Sequence, residues 1–179
     1  MIPIQNIYYM LSYAFQILNE QGYRNIATEK FNNTAELMAA ILEKGIANQL
    51  KRGLCKEYIP QTEALSSLRG KIDIAESIKT QSMLRKQLIC TYDEFSVNST
   101  MNQIIKSTVE LLLCSNISKK RKKNLRKLMI YFGEVDFIDL HTVNWNVQYN
   151  RNNQTYRMLI SICYLVVKGL LQTQSDGSK

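Results

Sequence analysis

Seven bases fall within nine residues at Lys119–Lys127 (KKRKKNLRK), with no acid among them. On a helix, Lys119/Lys123, Lys122/Arg126 and Lys123/Lys127 become like-charge neighbours one turn apart, and each pair is mildly destabilising. Lysines in a first turn also oppose the helix dipole, by about 0.3–1 kcal/mol each at low salt. A segment that gives up local stability suits an acidic partner, and the dense phosphates of nucleic acid are the first candidate. No aromatic residue interleaves with the bases, so stacking of single-stranded bases is not indicated. The plain alternative is a solvated helix face. The candidate contacts to a partner or to DNA are Lys119, Lys120, Arg121, Lys122, Lys123, Arg126 and Lys127.

A second charged cluster is LRGKID, Leu68–Asp73. Gly70-Lys71 has the ending of a phosphate-binding loop, which needs G-x-x-x-x-G-K-[ST] so that amides wrap the phosphates and a hydroxyl reaches the metal. Ile72 stands where the hydroxyl belongs and Leu65 where the first glycine belongs, so that chemistry is excluded. A glycine in a strand pattern marks a bulge or a close backbone approach instead. Arg69 and Lys71 remain candidate charged contacts.

Metal-dependent strand cutting needs acids and a lysine converging on a divalent ion. The usual form is an Asp followed downstream by Asp/Glu-x-Lys. No Asp/Glu-x-Lys occurs; Glu76-Ser77-Ile78-Lys79 has the wrong spacing, and Asp93-Glu94 has no lysine nearby. His141 is the only imidazole, and its neighbours match no nucleophile motif. Cys55, Cys90, Cys114 and Cys163 are far apart and form no C-x-x-C pair, so a zinc site of ordinary spacing is not expected. The sequence therefore predicts no catalytic, cofactor-binding or metal-ligating residue, and thiols packed as small hydrophobes in a reducing compartment.

The elements that must carry these residues follow from hydrophobic spacing. Ile4, Ile7, Tyr8, Leu11, Ala14, Phe15 and Leu18 form one face of a helix over about 4–20, with Gly22 at its end. Asn33-Thr34-Ala35-Glu36 resembles a capping box that opens a helix over 34–52, closed by Gly53. Helical spacing returns over 99–114, 118–132 and 154–172. The period is that of strands over 55–73, 86–95 and 143–149, where Val143, Trp145, Val147 and Tyr149 alternate with polar residues. Residues 74–83 fit a short helix or a long loop. The expected fold class is α+β: a helix-rich domain over 1–179 with a small antiparallel sheet or partial barrel. The last helix is apolar around most of its circumference, so either it is central or it covers something outside this sequence.

Composition supports a globular chain, 45% hydrophobic and 21% charged. The net charge of +8 is local: outside Lys119–Lys127, 16 bases face 15 acids. The apolar run Met158–Val167 is far shorter than the roughly 20 residues that span a bilayer, and no secretory leader is visible. A cytoplasmic protein is expected.

Five stretches together resemble the McrC family, the partner subunit of McrBC-type modification-dependent restriction systems. They are IPIQNIYYMLSYAF (Ile2–Phe15), RGL…EYIPQTE (Arg52–Glu63), RGKID (Arg69–Asp73), NQIIKST (Asn102–Thr108) and YRMLISIC (Tyr156–Cys163). The resemblance covers nearly the whole chain and is to the N-terminal region of the family only. It implies a region that plugs into a hexameric AAA+ GTPase ring, McrB, and stimulates GTP hydrolysis. DNA is then engaged indirectly, through the complex. GTP and Mg are expected only in the partner and in a C-terminal nuclease domain, which these residues are not expected to contain. On this view the apolar last helix packs towards that missing half, and LRGKID is framework. The competing reading is a small basic DNA-binding module acting through Lys119–Lys127.

Overall fold

The helical periods fold around the segment with the most continuous apolar pattern. A computed structural model describes residues 3–23, 30–31 and 33–176, with side chains to residue 169. The chain divides into a helical unit, formed by residues 1–54 with 100–179, and an inserted unit, Cys55–Ser99. The single region expected over 1–179 is thus two units.

The helical unit contains α1 (Ile4–Glu20), α2 (Thr34–Arg52), α4 (Thr100–Leu113), α5 (Lys119–Met129) and α6 (Gln154–Asp176). Asn33 caps α2 by accepting the Glu36 N–H at 2.8 Å. Gly22 at φ +92° ends α1, where the Tyr23 N–H reaches the Leu18 carbonyl at 2.9 Å. The 3₁₀ turn Ile130–Phe132 continues α5, so the helix expected over 118–132 tightens in its last turn.

Helix α6 is the centre of this unit and packs on α1, α2 and α4. Met158, Leu159, Ile160, Ile162, Cys163, Leu165, Val166 and Val167 are all buried. This corrects the expectation that α6 presents an uncovered face to a missing half: its apolar residues are covered by helices of the same chain. Leu170 and Leu171, which the pattern also turns inward, lie outside the described side chains. Gly45 on α2 allows α6 to approach, because a Cβ there would lie 2.7 Å from Leu159 Cδ2 and 2.9 Å from Met158 Cε.

Buried polar bonds fix the register of the packing. Tyr156 donates its hydroxyl to Asn102 Oδ1 at 2.7 Å, joining α6 to α4. Lys106 donates to the carbonyls of Phe132 (3.0 Å) and Val135 (2.5 Å), closing the exposed end of the 3₁₀ turn. All three side chains belong to the stretches NQIIKST and YRMLISIC, so those stretches are framework.

Residues 143–149 are not a strand. The expected alternation is real: Val143, Trp145, Val147 and Tyr149 are half-buried, and Asn144, Asn146 and Gln148 are exposed. No ladder forms, however. The Asn146 N–H is taken by Asn144 Oδ1, and Val147 N–H turns back to the Trp145 carbonyl. Trp145 meets Tyr164 of α6 edge-on, with centroids 5.3 Å apart. An extended segment lying on a helix produces the same period of two as a half-buried strand.

The inserted unit is a three-stranded antiparallel sheet with order β1-β3-β2, where β1 is Glu57–Leu65, β2 Lys71–Asp73 and β3 Leu88–Ser96. The strand expected over 55–73 is therefore two strands, broken at 66–70. Both pair with β3: Leu65 lies opposite Leu88, and Ile72 opposite Cys90. Between β2 and β3 come α3 (Ile74–Lys79) and a 3₁₀ turn, Ser82–Arg85, which settles 74–83 as helical.

The break answers what LRGKID does. Gly70 sits at φ +65°, and a Cβ there would collide with the Thr91 carbonyl and lie 2.8 Å from Tyr92 Cβ. Asp73 caps α3 by accepting the Glu76 N–H at 2.9 Å. Buried Ser77 then accepts the Ile89 N–H at 2.7 Å, holding α3 to β3.

Candidate interaction surfaces

Ser118 begins α5, its hydroxyl accepting the Arg121 N–H at 3.3 Å. The first turn of the basic helix lies against α2. There Glu36 accepts the Ser118 N–H (2.8 Å), the Ser118 hydroxyl (3.0 Å) and Arg121 Nε (3.2 Å). Glu43, two turns further along α2, accepts Arg121 Nη1 at 2.6 Å and the Asn124 amide at 2.9 Å. The side chains of Arg121, Glu36 and Glu43 are only 17%, 13% and 18% exposed. Burial pushes the Glu36 carboxyl up, but the Ser118 and Arg121 bonds outweigh it and hold the group below its usual range. For Arg121, burial opposes the charge and the two carboxylates more than restore it.

Arg121 is therefore a clamp between α2 and α5, not one of the outward contacts expected of it. The structure separates it from the other bases. Lys119, Lys120, Lys123, Arg126 and Lys127 are exposed, and Lys122 is half-buried. Among the described residues, none of these six makes an ion pair. Leu125 is fully buried on the opposite side of the helix.

Arg69 and Lys71 lie in the inserted unit, apart in sequence and unit from α5. The Arg69 guanidinium lies over the Tyr92 ring, 4.2 Å from its centroid. Lys71 is exposed on β2, opposite Thr91.

Spacing in the sequence did not reveal how many apolar side chains the inserted unit exposes. In the inserted unit Leu68, Ile74, Ile78, Met83 and Leu84 are 57%, 62%, 63%, 53% and 81% exposed. On the paired strands, Tyr58 and Phe95 stack with centroids 4.9 Å apart, and Lys56 lies 5.7 Å from the Phe95 centroid. The available signal was Ile74/Ile78 at i, i+4 on a segment too short to build a core of its own. In the helical unit Ile4, Tyr8 and Tyr9 of α1 are also exposed.

Among the described residues, no group of three or more His, Cys, Asp or Glu is placed to hold a metal ion. Cys163 is fully buried, and that burial pushes its thiol up to about 12, so it is packing rather than a nucleophile. The arrangement offers exposed basic and apolar surfaces among the described residues.

A family model for the McrBC 5-methylcytosine restriction system component matches residues 5–179. The chain belongs to that family. The type IV methyl-directed restriction enzyme EcoKMcrBC of Escherichia coli (strain K12) is 30% identical, over 98% of this chain and 51% of that protein. Two solved structures share the fold. A chain of the cryo-EM structure of the Thermococcus gammatolerans McrBC complex superposes with a TM-score of 0.63 at 22% identity, over 91% of this chain and 50% of its own. A chain of the half-complex from a tetradecameric assembly of Thermococcus gammatolerans McrB AAA+ hexamers with bound McrC does so at 0.63 and 20%, over 88% and 41%. This McrBC-family chain thus spans about half the length of the relatives it matches. Within it, the stretches that carried the resemblance have identifiable work: Asn102, Lys106 and Tyr156 lock the helices, and Gly70 and Asp73 shape the inserted unit.

Proposed function

We propose that this chain is the docking and activating region of an McrC-like subunit: it seats on a ring of an AAA+ GTPase and raises its GTP turnover. The reading rests chiefly on the family match across residues 5–179, and the α+β fold shared with a chain of the assembly of McrB AAA+ hexamers with bound McrC supports it. The exposed apolar band of the inserted unit suits the role. Eight large apolar or aromatic side chains stand in solvent on a unit of 45 residues, which is more than an isolated small domain ordinarily leaves uncovered.

In this reading the ring binds GTP and its Mg, methylated DNA reaches the complex through the partner, and strand cutting belongs to residues outside these 179. The complex works in the cytoplasm. The test mixes the purified chain with its cognate ring-forming GTPase. GTP turnover should rise severalfold and the two should co-migrate by gel filtration. Unchanged turnover with separate migration would end the proposal.

A further inference from the structure

We propose that the outward stripe of α5, Lys119, Lys123 and Arg126 flanked by Lys120 and Lys127, contacts the phosphates of duplex DNA directly and without regard to base sequence. This goes beyond docking on a ring and concerns a different unit of the molecule.

The stripe is a set of bases on one side of a helix that the fold has fixed in place. Lys119, Lys123 and Arg126 fall at i, i+4 and i+7, and all are exposed. From Lys119 to Arg126 the helix rises about 11 Å at 1.5 Å per residue. Three long, flexible bases spread over that length can each reach a phosphate of the densely charged duplex surface.

The opposite side of the helix is committed. Arg121 and Asn124 are tied to Glu36 and Glu43, and Leu125 is buried. The two acids of α2 that reach α5 neutralise the inward base and the helix N-terminus, and the outward bases are left without an ion pair among the described residues. Their mutual repulsion is relieved by an external polyanion. Asn124, the one amide on α5, is held by Glu43, so the outward side offers charges alone. Contacts from such charges to phosphates position a protein on the duplex and carry no sequence information of their own.

An anionic membrane is the competing source of phosphate. A helix lying on a membrane needs an apolar face along its length turned to the lipid. Here the apolar residue Leu125 is buried within the protein, and apolar side chains meet solvent only past the last base, at Ile130 and Tyr131.

The test uses the 179-residue chain and a fluorescein-labelled 30-base-pair duplex, followed by anisotropy between 50 and 200 mM KCl. Binding should weaken with salt at a log–log slope of about −3, as release from about three phosphates requires. K119Q/K123Q/R126Q should weaken binding at 50 mM KCl by tenfold or more and flatten the slope, with an unchanged circular-dichroism melt. R69Q/K71Q should leave both unchanged, and so should replacing cytosines in the duplex by 5-methylcytosine. The proposal fails if the duplex is not bound at 50 mM KCl, or if the triple variant binds as the parent does. It also fails if methylation changes the affinity, or if phosphatidylserine vesicles are bound at lipid concentrations where the duplex, at equal phosphate, is not.

Discussion

The helical unit and the inserted unit solve the burial problem in opposite ways. Every buried apolar side chain in the described structure except Cys90 belongs to the helical unit. There α6 is surrounded by α1, α2 and α4, and polar bonds such as Tyr156–Asn102 lie inside. The inserted unit is held instead by backbone: nine register pairs between β1 and β3, a glycine that admits a close approach, and Ser77 bridging α3 to β3. Forty-five residues are too few to bury much of their own surface. One unit buries its apolar side chains, and the other leaves eight large ones exposed.

The sharpest way to break that comparison is to make the same truncation in both units. Leu42→Ala and Ile104→Ala remove fully buried side chains from the helical unit. Each should cost about 2–5 kcal/mol in urea unfolding, from lost burial and the cavity left behind. Leu84→Ala in the inserted unit removes a side chain that is 81% exposed and should change stability by less than about 0.5 kcal/mol. Similar costs at the two places would mean that the inserted unit has a core of its own.

A somewhat smaller effect separates the clamp from the stripe on α5. Arg121→Ala leaves Glu36 and Glu43 mostly buried without their cation and should cost about 1–3 kcal/mol. Lys123→Gln, exposed and unpaired, should cost almost nothing on the same helix. The clamp also carries a pH signature. The Glu36 carboxyl is held below its unfolded value, so its contribution is present above the ordinary glutamate range. That contribution is lost as pH falls through the lowered folded value. Glu36→Gln should therefore flatten the acid limb of a stability–pH curve, and an unchanged limb would show that Glu36 is not the linked group.

How much of this was legible in the sequence depends on whether the signal was local. Helix ends were, because caps are local: Asn33, Gly22 and Gly53 each act within a few residues of their own position. The role of Arg121 was not. Nothing in KKRKKNLRK distinguishes its third base, and only the side of α2 that carries Glu36 and Glu43 selects it. Residues 143–149 show the same limit, since a period of two reports one-sided contact and not the identity of the contact. The apolar band of the inserted unit was hidden for a related reason. Ile74 and Ile78 look like core positions until the fold places nothing over them. The basic stripe was visible as charge, but its orientation came only from packing.

Two substitutions in the inserted unit test whether its framework and its surface are separable. Gly70→Ala forces a side chain into left-handed backbone at φ +65°, against the Thr91 carbonyl and the Tyr92 side chain. It should cost about 1–3 kcal/mol and speed exchange of the amides that join β2 to β3, with the helical unit unaffected. Ile78→Gln with Leu84→Gln does the reverse. Both side chains are mostly in solvent, at 63% and 81% exposure, so stability should shift by less than about 0.5 kcal/mol. If the apolar band is what the GTPase ring covers, this quiet pair should nevertheless weaken co-migration with the ring and reduce the stimulated GTP turnover. Framework damage lowers partner binding through loss of the unit's shape and is visible in exchange. Surface damage lowers it with the shape intact. A double variant that keeps full stimulation would move the docking surface away from α3 and the turn after it, and leave the exposed face of α1, with Ile4, Tyr8 and Tyr9, as the next place to cut.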